Sequence, residues 1–446
     1  MNTPICDFVR TYADSKQLRF HMPGHKGAGT LGIEHLDITE IEGADVLYRA
    51  EGIIKESELN ASALFGSALT KYSTEGSSLS IRAMLYLAML YAKSIGREPR
   101  ILAGRNAHHT FMTAAALLDL KVDWLYPEHW DNLVACEITP DYLDHVLCSQ
   151  TKPAAVYITS PDYLGNVADI TELSSVCHKH GILLLVDNAH GAYLNFLPEN
   201  RHPITLGADI CCDSAHKTLP VLTGGGYLHI SKHAPECFCQ QAEKALSLFA
   251  STSPSYLIMQ SLDAANRYLA EGYAEKLADY VPFVGELKVR LADFGYTLHG
   301  NEPLKITIAP KNLGYTGYEL AEILAEHRII CEFADPDFVV FMLTPEISKE
   351  DLDHLVQTLC AVPRKEAIDI KPPMPSKPKQ ICSIREALFA TSTEVSIQDS
   401  LGQTLASTRI SCPPAIPIVV CGENIDEDAI RCFEYYGVEM CQVMKE

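Results

Sequence analysis

Apolar and polar positions follow two rhythms along the chain. Between Ser77 and Gly96 (SSLSIRAMLYLAMLYAKSIG) apolar residues recur at helical spacing and stop at a glycine, which predicts a helix ending there. The short apolar run RILAG follows and predicts a buried strand. The alternation continues with HHTFMTAAALLDL as helix, PAAVYITSP (153–161) as strand, ITELSSVCHKHG as helix and ILLLVDNAH as strand. Strands separated by helices of about ten residues predict an α/β fold with a mainly parallel sheet and right-handed crossovers. Such sheets bind ligands beyond the carboxyl ends of their strands. Three of those ends carry polar groups: SPDY after 153–159, DNAH after 182–186 and DSAHK after 208–212.

The flanking segments have a different character. Residues 1–55 combine turn signals (PGHKG, LG, EG) with short amphipathic pieces, and are expected to form an arm lying across another part of the protein. Helical patterning from Ser255 to Gly295 predicts one long spine after the main α/β region. LKITIAP, GYELAEILAEHRI, DFVVFMLTP and DLDHLVQTLCAV then give strand, helix, strand and helix, a smaller α/β segment. KPPMPSKPK (371–379) has the composition of a stiff linker. These changes suggest an arm over 1–55, a large domain over 56–285, a small α/β domain over 286–370, a linker over 371–380 and a carboxyl-terminal domain over 381–446.

Composition narrows the class. With 47% hydrophobic residues in 446, the chain can bury a substantial core. A formal net charge of −21 argues against nucleic acid as a partner, because phosphate binding requires concentrated Lys and Arg. It is compatible with a cationic small substrate. The amino terminus has no apolar core behind a basic start, and no run of about 18 apolar residues occurs, so a cytoplasmic protein without membrane attachment is expected. The fifteen cysteines contain no C-x-x-C pair and read as reduced thiols. CHKH (177–180) comes nearest to a metal-ligand pattern, but reads as a solvated helical surface, and no metal is expected.

The strongest chemical signal is DSAHKTLPVLTGGGYLHI, residues 213–230, where Ser214, His216 and Lys217 precede a glycine-rich stretch. A lysine in a strand-end loop forms an imine with an aldehyde once its ammonium loses a proton, although most lysines are simply solvated. Asp187 ends ILLLVD thirty residues earlier. A buried carboxylate there could keep a pyridine nitrogen protonated, as pyridoxal phosphate requires to act as an electron sink, or could be a helix cap or turn residue. Gly76, Ser77 and Ser78 open the first predicted helix, where unsatisfied N–H groups attract a phosphate; they could equally serve as its cap. His108 begins another helix and could lie flat on a cofactor ring, with His109 turned away.

These residues resemble the ornithine/lysine/arginine decarboxylase family of fold-type-I pyridoxal-phosphate enzymes, with the aspartate-aminotransferase-like fold. FHMPGHKGAG (20–29) is similar to the family's F-x-x-P-G-H-K-x-G signature, and DITEIEGADVLYRAEGIIKESE (37–58) to the segment that follows it. RNAHHT, ITSPDYLGNVADI, VDNAHGAYL, DSAHKTLP, TSPSYLIMQSLDAA and the block 387–423 come in the family's order. The resemblance implies a large domain with a mainly parallel sheet that binds pyridoxal 5′-phosphate, a smaller α/β domain and a carboxyl-terminal decarboxylase-type domain. It implies Lys217 as Schiff-base lysine, Asp187 as pyridine partner, His108 as ring-stacking histidine, and Ser77, Ser78, Ser214 and His216 around the phosphate or imine. Ala189 would lie under the ring and His190 would line the site. Thr252 and Ser253 would reach the phosphate of a neighbouring subunit, making the site shared in a homodimer or higher homo-oligomer. Glu423 would be a substrate-side acid, with Glu42 or Asp45 of the arm as alternatives.

The implied activity is that of a lyase in polyamine metabolism, decarboxylating lysine, arginine or ornithine. Other fold-type-I activities, such as an aminotransferase, or a catalytically silent amine-binding homologue, are the alternatives. The chain departs from the pattern at Asn188 (DNAH for D-E-A-H), Ala415 (PPAIP for P-P-G-x-P) and Cys421 (CGE for P-G-E), and in TEGSS for N-G-[ST]-[ST]. It begins directly at the arm, which resembles the short form of the family.

Overall fold

The computed structural model describes residues 1–149, 151–408, 411–412 and 416–445, with the backbone alone described at 411–412. Ala415 lies outside the described residues. The chain divides into two compact units, Met1–Arg97 with Ile170–Ala278, and Glu98–Asp169 with Asp279–Glu446. In chain order the first elements are α1 (Pro4–Asp14), α2 (Ile53–Phe65), β1 (Leu69–Ser73), α3 (Gly76–Ser94), β2 (Arg100–Gly104), α4 (His109–Leu118) and β3 (Lys121–Leu125). Then come α5 (Pro140–Ser149), β4 (Ala155–Thr159), α6 (Ile170–Lys179), β5 (Leu183–Asp187), β6 (Ile210–Asp213), α7 (Ala215–Thr218) and β7 (Gly226–Ile230). Helices α8 (Glu236–Ser247), α9 (Tyr256–Ala270) and α10 (Tyr273–Phe294) follow.

In the first unit the strands run in the order β1, β7, β6, β5. The β5 and β6 strands are parallel, whereas β6 with β7 and β7 with β1 are antiparallel. β5 is buried at every position, which explains why LLLVD is continuously apolar instead of alternating. Helix α3 buries Leu79, Ile81, Met84, Leu85 and Leu87, because it packs on β6 and β7 and also against α8.

The arm is anchored by helix α1, which packs on α2 and α9 and buries Ile5, Cys6 and Val9. Its first free amides, Ile5 N and Cys6 N, donate to Asp263 Oδ2 at 3.0 and 2.9 Å, and Ser57 Oγ donates to Oδ1 at 2.5 Å. A buried carboxylate thus satisfies an amino-terminal helix turn.

The spine predicted as continuous is broken. Gly272, with φ of +93°, ends α9 and lets the chain restart as α10, a conformation a side-chain-bearing residue would resist. CHKH is corrected at Cys177, which is fully buried on the inner face of α6; His178 and Lys179 are exposed as expected, with His178 Nε2 paired to Asp209 Oδ2 at 3.0 Å. Burial pushes the Cys177 thiol up to about 12, so it stays protonated.

In the second unit β4, β2 and β3 pair in parallel in that order. A separate antiparallel sheet has the order β10 (Phe333–Ala334), β11 (Val339–Met342), β9 (Lys305–Ala309), β8 (Thr297–His299). Phe338 and Val340 of that region share one core with Leu405, Ile418, Phe433 and Val443 from the carboxyl-terminal segment. Residues 371–379 carry no helix or strand. Among the described residues no helix is long and apolar enough to cross a membrane.

Candidate active site

The site is built at the carboxyl ends of β5 and β6. Their register pairs Leu185 with Ile210 and Asp187 with Cys212, so Asp187 and the loop that follows Asp213 emerge side by side. This is how residues thirty apart in sequence become neighbours. Asp187 is 2% exposed; its Oδ1 accepts from Ala189 N at 3.2 Å and from the Cys212 thiol at 3.6 Å. Burial first, and then the adjacent Asp187 carboxylate, push the Cys212 thiol far above its ordinary value, which keeps its proton in place as a donor.

After β6, Ser214 opens the single-turn helix α7 that carries His216 and Lys217. Lys217 Nζ lies 2.9 Å from His190 Nε2, so these nitrogens can share a proton. His216 Nδ1 lies 2.9 Å from Gly225 O; because a carbonyl only accepts, that ring nitrogen carries the proton.

The turn before α3 reaches the same place. Gly76, at φ of +64°, gives its N–H to Gly224 O at 2.7 Å. Ser214 Oγ accepts from Ser77 N at 3.3 Å and donates to Ser77 Oγ at 2.8 Å. A Cβ on Gly76 would stand 3.4 Å from His216 Cε1. One on Gly226 would come within 2.9 Å of both Asp213 O and Gly76 C, so that glycine is what lets β7 lie this close. Gly76, Ser77, Ser214 and His216 are therefore gathered at one helix amino terminus, with Ser78 in the same first turn. Thr252 and Ser253 are exposed, and their segment is tied to the α3 turn by Ser251 N donating to Glu75 Oε1 at 2.8 Å.

Two predicted residues belong to the second unit. His108 is the amino-terminal cap of α4: its Nδ1 accepts from Thr110 N at 3.2 Å, and its ring tilts against His109 with centroids 4.1 Å apart. Glu423 is 1% exposed, and its Oε2 accepts from Arg105 Nη2 at 3.0 Å and from Val420 N at 2.6 Å. Burial raises the Glu423 pKa, with the Arg105 guanidinium opposing. Arg105 also donates to Pro417 O and Ile418 O and lies over the Trp124 ring. In the arm, Asp45 accepts from the N–H groups of Val46, Glu51, Gly52 and Ile54, a turn-forming role.

Sequence reasoning did not find Arg105 beside Glu423, nor His202 and His229, which flank Asp213. Arg105 opens RNAHHT and His229 lies within 213–230, but the partners of all three are set by long-range packing and not by spacing along the chain.

The donor set suits pyridoxal phosphate: a lysine amine for its aldehyde, a buried carboxylate for its ring nitrogen, and hydroxyls at a helix amino terminus for its phosphate. The fold is that of the fold-type-I pyridoxal-phosphate enzymes. It is similar to the crystal structure of the Francisella novicida lysine decarboxylase LdcF, with a TM-score of 0.81 and 17% identity over 99% of this chain and 81% of that one. Residues 3–292 match the family described as Orn/Lys/Arg decarboxylase, major domain, and the chain belongs to that family. It is 30% identical to an arginine decarboxylase of Halalkalibacterium halodurans, over 95% of this chain and 91% of the relative. It is 28% identical to an arginine decarboxylase of Bacillus subtilis, over 96% and 92%. The protein is thus a pyridoxal-phosphate-dependent decarboxylase of basic amino acids.

Proposed function

We propose that the protein decarboxylates arginine or lysine, and that Lys217 is the residue that holds the cofactor. The observation that carries this is the placement of Lys217 Nζ 2.9 Å from His190 Nε2, beyond the strand paired in register with the one ending in Asp187. Arginine is favoured by the two arginine decarboxylases similar over nearly the whole chain.

When bound, pyridoxal phosphate supplies an electron sink for the carbon that loses CO2. Asp187, its Oδ1 held by the Ala189 and Cys212 donors, would pair with the ring nitrogen and keep it protonated. Ser77 and Ser78, in the first turn of α3, and Ser214, hydrogen-bonded to Ser77, would hold the phosphate. Ala189 would support the ring, and His108 is the candidate to stack on it. His190 Nε2 takes a proton from Lys217 Nζ, leaving the amine uncharged and nucleophilic. After CO2 departs, a proton returns to the substrate Cα from Lys217 or His216.

The domain boundaries drawn from the sequence form part of this reading, as does a homodimer with shared sites. Leu18, Phe20 and Leu31 of the arm are 81%, 91% and 79% exposed, apolar surface that a second copy would cover, and Thr252 and Ser253 are free to reach it. A cytoplasmic, polyamine-forming role goes with it.

The test is CO2 release by purified holoenzyme given arginine, lysine and ornithine separately. Release from arginine or lysine, with agmatine or cadaverine formed, supports the reading. Transamination without CO2 from any of the three overturns it.

A further inference from the structure

Behind the candidate site, one buried carboxylate gathers four segments of the first unit. Asp213, the last residue of β6, is fully buried. Its Oδ1 accepts from Asn188 Nδ2 at 2.7 Å; its Oδ2 lies 3.0 Å from His202 Nε2 and 3.1 Å from His229 Nε2. Facing an ionised oxygen, both ring nitrogens are donors. His229 Nδ1 then accepts from Thr70 Oγ1 at 2.8 Å, which in turn lies 2.8 Å from Ser67 Oγ. Burial raises the Asp213 pKa, but the two imidazoles more than offset it and hold the carboxyl well below its usual range.

Asn188 is the link between this network and the site. It follows Asp187 directly, and its main-chain N–H extends the β5–β6 ladder to Cys212 O at 3.0 Å. Its side-chain orientation is dictated, since turning the amide over would set two oxygens against each other. Keeping Nδ2 on Asp213 leaves Asn188 Oδ1 buried with no hydrogen-bond partner among the described residues. The pocket around that oxygen is so tight that a Cβ on Gly191 would lie 2.1 Å from it. A protein that tolerates an unpaired buried oxygen to preserve one hydrogen bond relies on that bond.

We infer that Asn188 and Asp213 are a positioning pair: their amide–carboxylate hydrogen bond, backed by His202 and His229, sets the strand end bearing Asp187 against the loop bearing Lys217. An amide suits this position because a carboxylate at 188 would add a third buried acid beside Asp187 and Asp213. The inference rests on the reading of Lys217 and Asp187 given above.

The test uses the full chain reconstituted with pyridoxal phosphate and compares Asn188→Asp, Asn188→Ala, Asp213→Asn and the double exchange Asn188→Asp/Asp213→Asn. The exchange rebuilds the hydrogen bond with donor and acceptor reversed, while residue 213 still offers an oxygen to His202 and His229. The readouts are visible circular dichroism of the bound cofactor without substrate, and kcat and KM with a basic amino acid. Each single variant is expected to change the circular dichroism and to lower kcat by about tenfold or more with KM within about threefold, and the exchange to restore both. Should a single variant fail to fold, a folded exchange with the wild-type cofactor signal supports the pair equally. Single variants indistinguishable from wild type, or losses that the exchange leaves in place, overturn the inference. A wild-type protein with a cofactor signal and no decarboxylation would remove the proposed reaction while the pair still stood or fell on the cofactor signal; no cofactor signal at all would remove both.

Discussion

Lys217 and His190 face each other at 2.9 Å, and Asp187 is held by a backbone N–H and a protonated thiol. Asp187→Ala is therefore expected to retain cofactor through the helix terminus and Lys217, but to lose turnover by about a hundredfold or more, because an unprotonated pyridine is a poor electron sink. Near-normal turnover at full cofactor occupancy would place the pyridine partner elsewhere. Glu423 invites a test of a different kind, because its carboxylate is engaged by Arg105. As an anchor for that guanidinium, Glu423→Gln should destabilise the protein by about 3 kcal/mol with KM little changed. A raised KM at unchanged melting temperature would make it a substrate contact.

Asp335 carries a prediction about pH. Burial, and then the neighbouring Asp337, push its carboxyl to about 7 from 3.8, against the Asp337 and Phe338 amides that donate to Oδ1. The folded protein holds this proton more tightly than the unfolded chain does. The group's stabilising contribution is therefore complete below about pH 4 and is lost as pH rises through about 7. Asp335→Asn imitates the protonated form, so it should stabilise the protein by about 4 kcal/mol at pH 8 and by almost nothing at pH 4. Melting temperatures at both values decide it; an equal effect at the two would contradict the assignment.

Helix α1 depends on one buried carboxylate for its anchoring. Asp263 receives two amides from the first turn of α1 and a hydroxyl from α2. Replacing it with alanine leaves the Ile5 and Cys6 amides buried and unpaired, at about 1–3 kcal/mol each, while the Ser57 hydroxyl can turn to Tyr72 Oη. Thermal unfolding should show the loss, together with faster proteolysis within the arm; an unchanged melting temperature would mean that α1 is held by apolar packing alone.

The elements also show what a sequence reveals. β2, β4, β5, α3, α4 and α6 were legible because each is a run of one hydrophobic period bounded by Gly or polar residues. β7 was not, since GYLHI emerges from a glycine triplet that reads as loop, and its antiparallel pairing with β6 and β1 has no local signal. The break at Gly272 was hidden because the helical period resumes almost in phase beyond it. Within the site, Lys217, Asp187 and Ser77 were legible because strand ends and helix starts announce themselves. His202 and His229 were not: a histidine's partner across a sheet is set by packing, which no spacing along the chain records.

A site shared between two subunits predicts complementation. Lys217→Ala lacks the amine, while a Thr252→Ala/Ser253→Ala variant lacks the groups offered to the neighbour. Each alone should be nearly inactive, and mixing them should restore about a quarter of wild-type activity through hybrid dimers carrying one intact site. No recovery after demonstrated subunit exchange would confine each site to one chain.

Covalent trapping identifies the lysine that holds the cofactor. Holoenzyme reduced with borohydride, digested and analysed by mass spectrometry should carry the phosphopyridoxyl group on the peptide containing Lys217, stoichiometrically and with loss of activity. A modification on any other lysine, with Lys217 unmodified, would remove Lys217 from that role.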